Sequence, residues 1–127
     1  MKTKEVEINS LEQPVTIWKM NNGFRNDWID KIGELKESVD DKGRVKQEVV
    51  YNNKKMRLYA LVYGILEASE LNINKPNDIL LGLTKAEELS RLRVIRGLDP
   101  RIADKIYKEI TDFNKVDVEE VEEIKKN

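Results

Sequence analysis

The 127-residue chain contains no cysteine and no histidine. Without thiols there is no disulfide, no thiolate zinc site and no thiol nucleophile. Without imidazole the side chain most used for proton transfer near neutral pH is gone, and serine triads, cysteine triads and histidine phosphotransfer go with it. Carboxylates, lysine, tyrosine and hydroxyls are what remain for chemistry. The 6 glycines are dispersed, and neither G-x-G-x-x-G nor G-x-x-x-x-G-K occurs, so nucleotide binding through those loops is excluded. No cofactor is expected. The longest apolar stretch, around Leu58 to Leu66, is broken by Gly64 and is too short to span a bilayer. Met1-Lys2-Thr3-Lys4-Glu5-Val6-Glu7-Ile8 turns acidic before any apolar run develops, unlike a secretory signal, so a cytoplasmic location is expected.

What the chain does have is charge of both signs. Charged residues make up 37% and hydrophobic residues 39%, which predicts a modest core in a heavily solvated shell. The 23 basic and 24 acidic residues leave a net charge of −1, so no global field draws the molecule to nucleic acid or an acidic membrane. The length suits one domain, placed at 1–116, with a charged tail at 117–127.

Periodicity then divides the domain. Val6 and Ile8 alternate with Glu5 and Glu7, and Val15-Thr16-Ile17-Trp18 is rich in β-branched and aromatic residues, so two short strands are expected. After the turn-like Asn21-Asn22-Gly23, Asn26 can cap a helix with Trp28, Ile29, Ile32, Leu35 and Val39 at helical spacing, ended by Asp40-Asp41-Lys42-Gly43. Val45 to Tyr51 reads either as a third strand or as a loop. From Asn53 to Leu66 the apolar residues run almost around the helix, which predicts a buried central helix. Pro76 can open a short helix through Ile79, Leu80 and Leu81. Thr84-Lys85-Ala86-Glu87 is a capping box, Gly97 stops the helix it opens, and Asp99-Pro100 starts another. The expected fold is therefore mainly α: a long central helix, a C-terminal helical hairpin and a short N-terminal β element.

Two constellations bear on function. The acidic pairs Asp40-Asp41, Glu87-Glu88, Glu119-Glu120 and Glu122-Glu123 lack the spacing of a calcium loop and read as solvated surface, so no metal site is expected. Arg91, Arg93, Arg96, Arg101, Lys105 and Lys108 flank Gly97-Leu98-Asp99-Pro100, and the segment resembles a helix-hairpin-helix, whose tight turn presents N–H groups to a DNA phosphate. Asp99 stands where that family has a second glycine, putting a carboxylate where phosphate oxygens would arrive; as a plain helix cap it needs no ligand. Trp18, Phe24 and Trp28 either pack the strands onto the first helix or anchor an interface. Val118, Val121 and Ile124 recur every third residue of the acidic tail, a stripe that docks on its own domain or on another chain.

The order of these elements resembles the tail assembly chaperones of long-tailed phages and prophages. The shared layout is an extended N-terminal piece, a helix with a loop at Asp40 to Arg44 and a central apolar helix from Lys55 to Glu67. The late segment Gly97-Leu98-Asp99-Pro100-Arg101-Ile102-Ala103-Asp104-Lys105-Ile106-Tyr107-Lys108-Glu109-Ile110 and a hydrophilic extension follow. The resemblance covers roughly residues 15 to 115 and is one of pattern and order. It implies a non-enzymatic role: coating the helical tape measure protein, keeping it soluble and recruiting tail tube subunits, with self-assembly common. The residues offered to such partners would be Met56, Tyr59 and Tyr63 on the central helix, Leu92, Ile95 and Ile106 on the helical hairpin, and Val118, Val121 and Ile124 on the tail; for the first six, core packing is the competing reading. A DNA-binding module using residues 91–108 and a regulatory subunit without chemistry of its own are the alternatives.

Overall fold

A computed structural model describes residues 1–115. Strands β1 (Thr3–Val6) and β2 (Val15–Trp18) lead into helix α1 (Asn22–Ile32), a hairpin of β3 (Gly33–Val39) and β4 (Val45–Tyr51), and helix α2 (Asn53–Gly64). Strand β5 (Ile65–Glu67) continues directly from α2, and helices α3 (Lys85–Arg96) and α4 (Pro100–Phe113) complete the described chain.

The architecture is mixed α and β, 45% helix and 23% strand among the described residues, which corrects the expectation of a mainly α, all-helical domain. Two antiparallel sheets account for the difference, one ordered β1-β2-β5 and the other the β3-β4 hairpin. Three local decisions explain why the helical reading failed. The first helix starts at Asn21, whose side chain accepts the Phe24 N–H, and not at Asn26. It stops at Gly33, a poor helix former, and the chain runs straight on into β3. Leu35 and Val39 fit a helical stripe, but they also alternate along a strand, and Val45, Val49 and Tyr51 supply the partner strand that turns the balance. Asp40 to Gly43 is accordingly a hairpin turn and not a helix end. The Asp40 carboxylate accepts the N–H groups of Lys42 and Arg44 at 2.9 and 2.8 Å, and Gly43 takes φ +77°, a conformation that only glycine adopts without strain.

The central helix also ends early. Its last turn gives way at Ile65 to β5, which pairs with β2 and closes the three-stranded sheet. A stretch of so many apolar residues cannot reveal by periodicity where the helix becomes a strand. Residues 76–81 form no helix: Asp78 accepts the N–H groups of Leu80 and Leu81 in a turn.

The core lies between the β1-β2-β5 sheet and helices α2, α3 and α4, with α2 in contact with α1, α3 and α4. Val15, Ile17, Trp18, Phe24, Leu61, Val62, Ile65, Ile106 and Ile110 are almost wholly buried. The Trp18 indole donates to the Tyr63 carbonyl at 2.8 Å and meets Phe24 edge-on at 4.7 Å, so the aromatic cluster joins β2, α1 and α2. The Thr84–Glu87 capping box is formed in both directions, and the Glu87 carboxylate also accepts the Asn77 N–H at 2.9 Å, tying the preceding loop to α3. Gly97 and Asp99-Pro100 divide α3 from α4 at the expected places. No helix among the described residues is long and apolar enough to cross a membrane.

Candidate protein-binding surface

The β3-β4 hairpin contributes nothing to the core. Every residue of β4 is exposed, and in β3 only Gly33 and Glu34 are half-buried. Its two faces differ. The register pairs Leu35 with Val49 and Val39 with Val45, and Tyr51 lies opposite Gly33 on the same face. Leu35, Val39, Val45, Val49 and Tyr51, at 71%, 69%, 63%, 59% and 50% exposure, thus share one mostly apolar face, interrupted at its middle by the Glu37–Gln47 pair. The opposite face carries Glu34, Lys36, Ser38, Lys46, Glu48 and Val50. At the hairpin base the apolar face turns into a cleft of about 320 Å³, bounded by Ile29 and Asp30 of α1 together with Leu35, Val49 and Tyr51.

A solvated two-stranded hairpin has little reason to be stable alone, and an apolar face of this kind is normally covered. Loop residues Leu80 and Leu81, both 86% exposed, form a second and smaller apolar point. Sequence reasoning missed the hairpin surface because it assigned Leu35 and Val39 to a helix. The alternation of Leu35, Glu37 and Val39, set against Val45, Gln47 and Val49 across an Asp-Lys-Gly turn, was the signal for it.

The sequence-predicted partner residues fall elsewhere. Tyr63, Ile95 and Ile106 are buried in the core and present no surface in this fold. Met56, Tyr59 and Leu92 are half-buried; Tyr59 stacks on Tyr63 at 6.4 Å between centroids. Burial first, then the nearby Glu88 and Asp27 carboxylates, push the Tyr63 phenol well above its ordinary value, so it stays neutral. Val118, Val121 and Ile124 lie outside the described residues.

The basic segment does not converge on a phosphate site. Arg91 is 3% exposed and donates to four main-chain carbonyls, those of Val62, Ile65, Leu66 and Asn74. Burial lowers its pKa to about 10, with Glu87 acting the other way, so the guanidinium is still charged near neutrality. It is a brace for the α2–β5 junction and is closed to nucleic acid. Arg93, Arg96 and Lys108 are exposed, Arg101 rests on Asp99 and Lys105 donates to the Glu7 carbonyl at 2.7 Å. The Asp99 carboxylate accepts the Arg101 N–H at 2.8 Å, and that bond, followed by the Arg101 side chain, holds its pKa below the usual range. The N–H that a helix-hairpin-helix turns toward phosphate is thus bonded to the protein's own carboxylate.

Among the described residues, no three carboxylates converge to hold a metal ion. Comparison with known protein families, curated proteins and solved structures finds no match to the chain.

Proposed function

We propose that the chain is a non-enzymatic, protein-binding assembly factor, and that it acts in the host cytoplasm as a tail assembly chaperone of a long-tailed phage or prophage. Its partners are then the tape measure and tail tube proteins. The mostly apolar face of the β3-β4 hairpin carries this reading: Leu35, Val39, Val45, Val49 and Tyr51 stand clear of the core in a chain with nearly as many charged as hydrophobic residues. Covering these side chains is worth on the order of 10 kcal/mol at about 25 cal/mol per Å². That is comparable to the cost of fixing two molecules together. Binding through this face therefore suits a partner that engages many copies along its length, as a long tape measure helix does. The resemblance read from the sequence supplies the identity of that partner, and the exposed face supplies the means.

The test is co-expression with the tape measure protein of the same genome. The expected outcome is a soluble complex that recovers the tape measure from the insoluble fraction, and that Leu35→Lys with Val49→Lys abolishes. Equal recovery by the substituted chain sinks the assignment to this face. No recovery by the unaltered chain sinks the chaperone reading.

A further inference from the structure

Among the described residues no strand pairs with the outer edge of β4, and the phase of that edge can be read from the ends of the ladder. The Asp40 N–H donates to the Arg44 carbonyl and the Asn52 N–H to the Ile32 carbonyl, each at 2.9 Å. In an antiparallel pair, hydrogen-bonded and non-bonded positions alternate, so Lys46, Glu48 and Val50 turn their main-chain groups toward β3. Val45, Gln47, Val49 and Tyr51 turn theirs outward. An edge strand of this length with free N–H and C=O groups is a template for another strand.

We propose that a second copy of this chain fills that edge, through antiparallel β4–β4 pairing about a two-fold axis at Gln47. The side chains choose this register. Gln47 faces its own counterpart, Val45 faces Val49 of the second copy, and Lys46 faces Glu48 twice over. The Lys46–Glu48 positions are the non-hydrogen-bonded ones, where strands bring side chains closest.

Neighbouring registers fail on charge. Centring on Lys46 or Glu48 sets each against its own kind, centring on Val45 sets Arg44 against Lys46, and centring on Val49 leaves Lys46 and Glu48 without opposite charges. Like charges placed directly opposite destabilise a sheet. On the β3 edge, centring on Lys36 or Glu37 repeats that fault. Centring on Ser38 leaves only Glu37, Ser38 and Val39 to pair within the strand, and centring on Leu35 falls two residues from the start of the strand, beside the end of α1.

The Gln47 register has room. Seven residues of β4 span about 23 Å, and antiparallel pairing puts the two domains at opposite ends of the new sheet. The product is a four-stranded sheet, β3-β4-β4-β3, that sets the two mostly apolar faces on the same side, on either side of a central polar row of Glu37 and Gln47 from both copies. Pairing to itself is favoured over pairing to an arbitrary strand because the edge is its own electrostatic complement.

The experiment is sedimentation of the full chain over a range of concentrations, with circular dichroism to verify folding. The unaltered chain is expected to move from 14.8 kDa toward twice that mass. Lys46→Glu alone and Glu48→Lys alone each oppose like charges in the homodimer and stay monomeric. Mixing these two variants restores two complementary pairs, so the mixture returns to dimer mass. Both changes within one chain also restore self-association, which controls for the Glu48→Lys side chain standing opposite Lys36 inside the hairpin. Gln47→Pro removes an outward N–H without touching the β3–β4 ladder, and it too yields monomer. Several results overturn the proposal: a monomeric unaltered chain at every concentration, Lys46→Glu associating as the unaltered chain does, or a mixture that fails to recombine. None of these bears on binding of a tape measure protein, which is read separately.

Discussion

Gly64 of α2 packs directly against the Ile110 side chain of α4. A Cβ built there would meet Ile110 Cγ2 at 2.6 Å and Cδ1 at 2.9 Å, and Ile110 is itself 1% exposed, with no room to retreat. Gly64→Ala is expected to cost about 1–3 kcal/mol by overpacking, despite alanine's better helix propensity. Ile110→Ala costs about 2–5 kcal/mol as a cavity. The double variant should be less destabilised than the sum, because the truncation removes the atoms that the new methyl strikes. Denaturant titration of the four proteins measures the coupling, and strict additivity would show that the contact is not what limits residue 64. Arg91 belongs to the same scale. Arg91→Met keeps volume but strands four carbonyls, and is expected to cost roughly 3 kcal/mol or more. Asn114 accepts the Met20 N–H at 2.7 Å and donates to the Trp18 and Ile110 carbonyls at 3.1 and 2.9 Å, pinning the end of α4 to β2. No periodic pattern marks either residue, since a polar side chain is read as surface until the main-chain groups around it are known.

Among the elements, the β3-β4 hairpin stands apart. None of its residues belongs to the buried core, and Gly33 and Tyr51 are ladder partners at its base. Replacing residues 34–50 by Asn-Gly is therefore expected to leave the thermal midpoint of the domain nearly unchanged, since a two-residue turn of that type joins paired strands. Self-association and partner recovery should both be lost. A collapse of the melting transition would mean that the hairpin supports the fold, contrary to its exposure. The helices behave in the opposite way. α2, α3 and α4 share the buried set Leu61, Val62, Ile95, Ala103, Ile106 and Ile110, so none of the three can be removed without dismantling the core.

At the scale of the whole molecule, carboxylates tie distant segments together. Glu109 accepts from Lys4 at 2.8 Å, linking α4 to β1, and this contact holds its pKa below the ordinary value. For Glu34 the bonds from Asn52 and then Lys55 do the same. Partial burial opposes the change at Glu87, but hydrogen bonds from Thr84 and Asn77 outweigh it and the pKa is again lowered. Folded-state values below the unfolded ones stabilise the protein above the unfolded pKa, and that stability is lost as pH falls through the folded values. The denaturation midpoint is expected to be level near neutrality and to decline below about pH 4.5. A midpoint that rises on acidification would contradict these assignments.

The amino-acid sequence by itself determined the features that depend on neighbours a few residues away. The Thr84 capping box, the Gly97 stop and the Asp99-Pro100 start are set by local hydrogen bonding and steric rules, and the strands at Val6 and Ile17 are legible in their own alternating and β-branched residues. The absence of thiols and imidazoles limited the chemistry before any fold was known. Only the tertiary structure decided whether Leu35 and Val39 lie on a helix or a strand, because both periods fit them and the Val45–Tyr51 partner breaks the tie. It also decided that Ile65 leaves the helix to pair with β2, and that Arg91 turns inward to brace four carbonyls. Each of these is settled by a contact made across many residues of sequence, and the energy of such a contact is not written in the spacing of either partner alone.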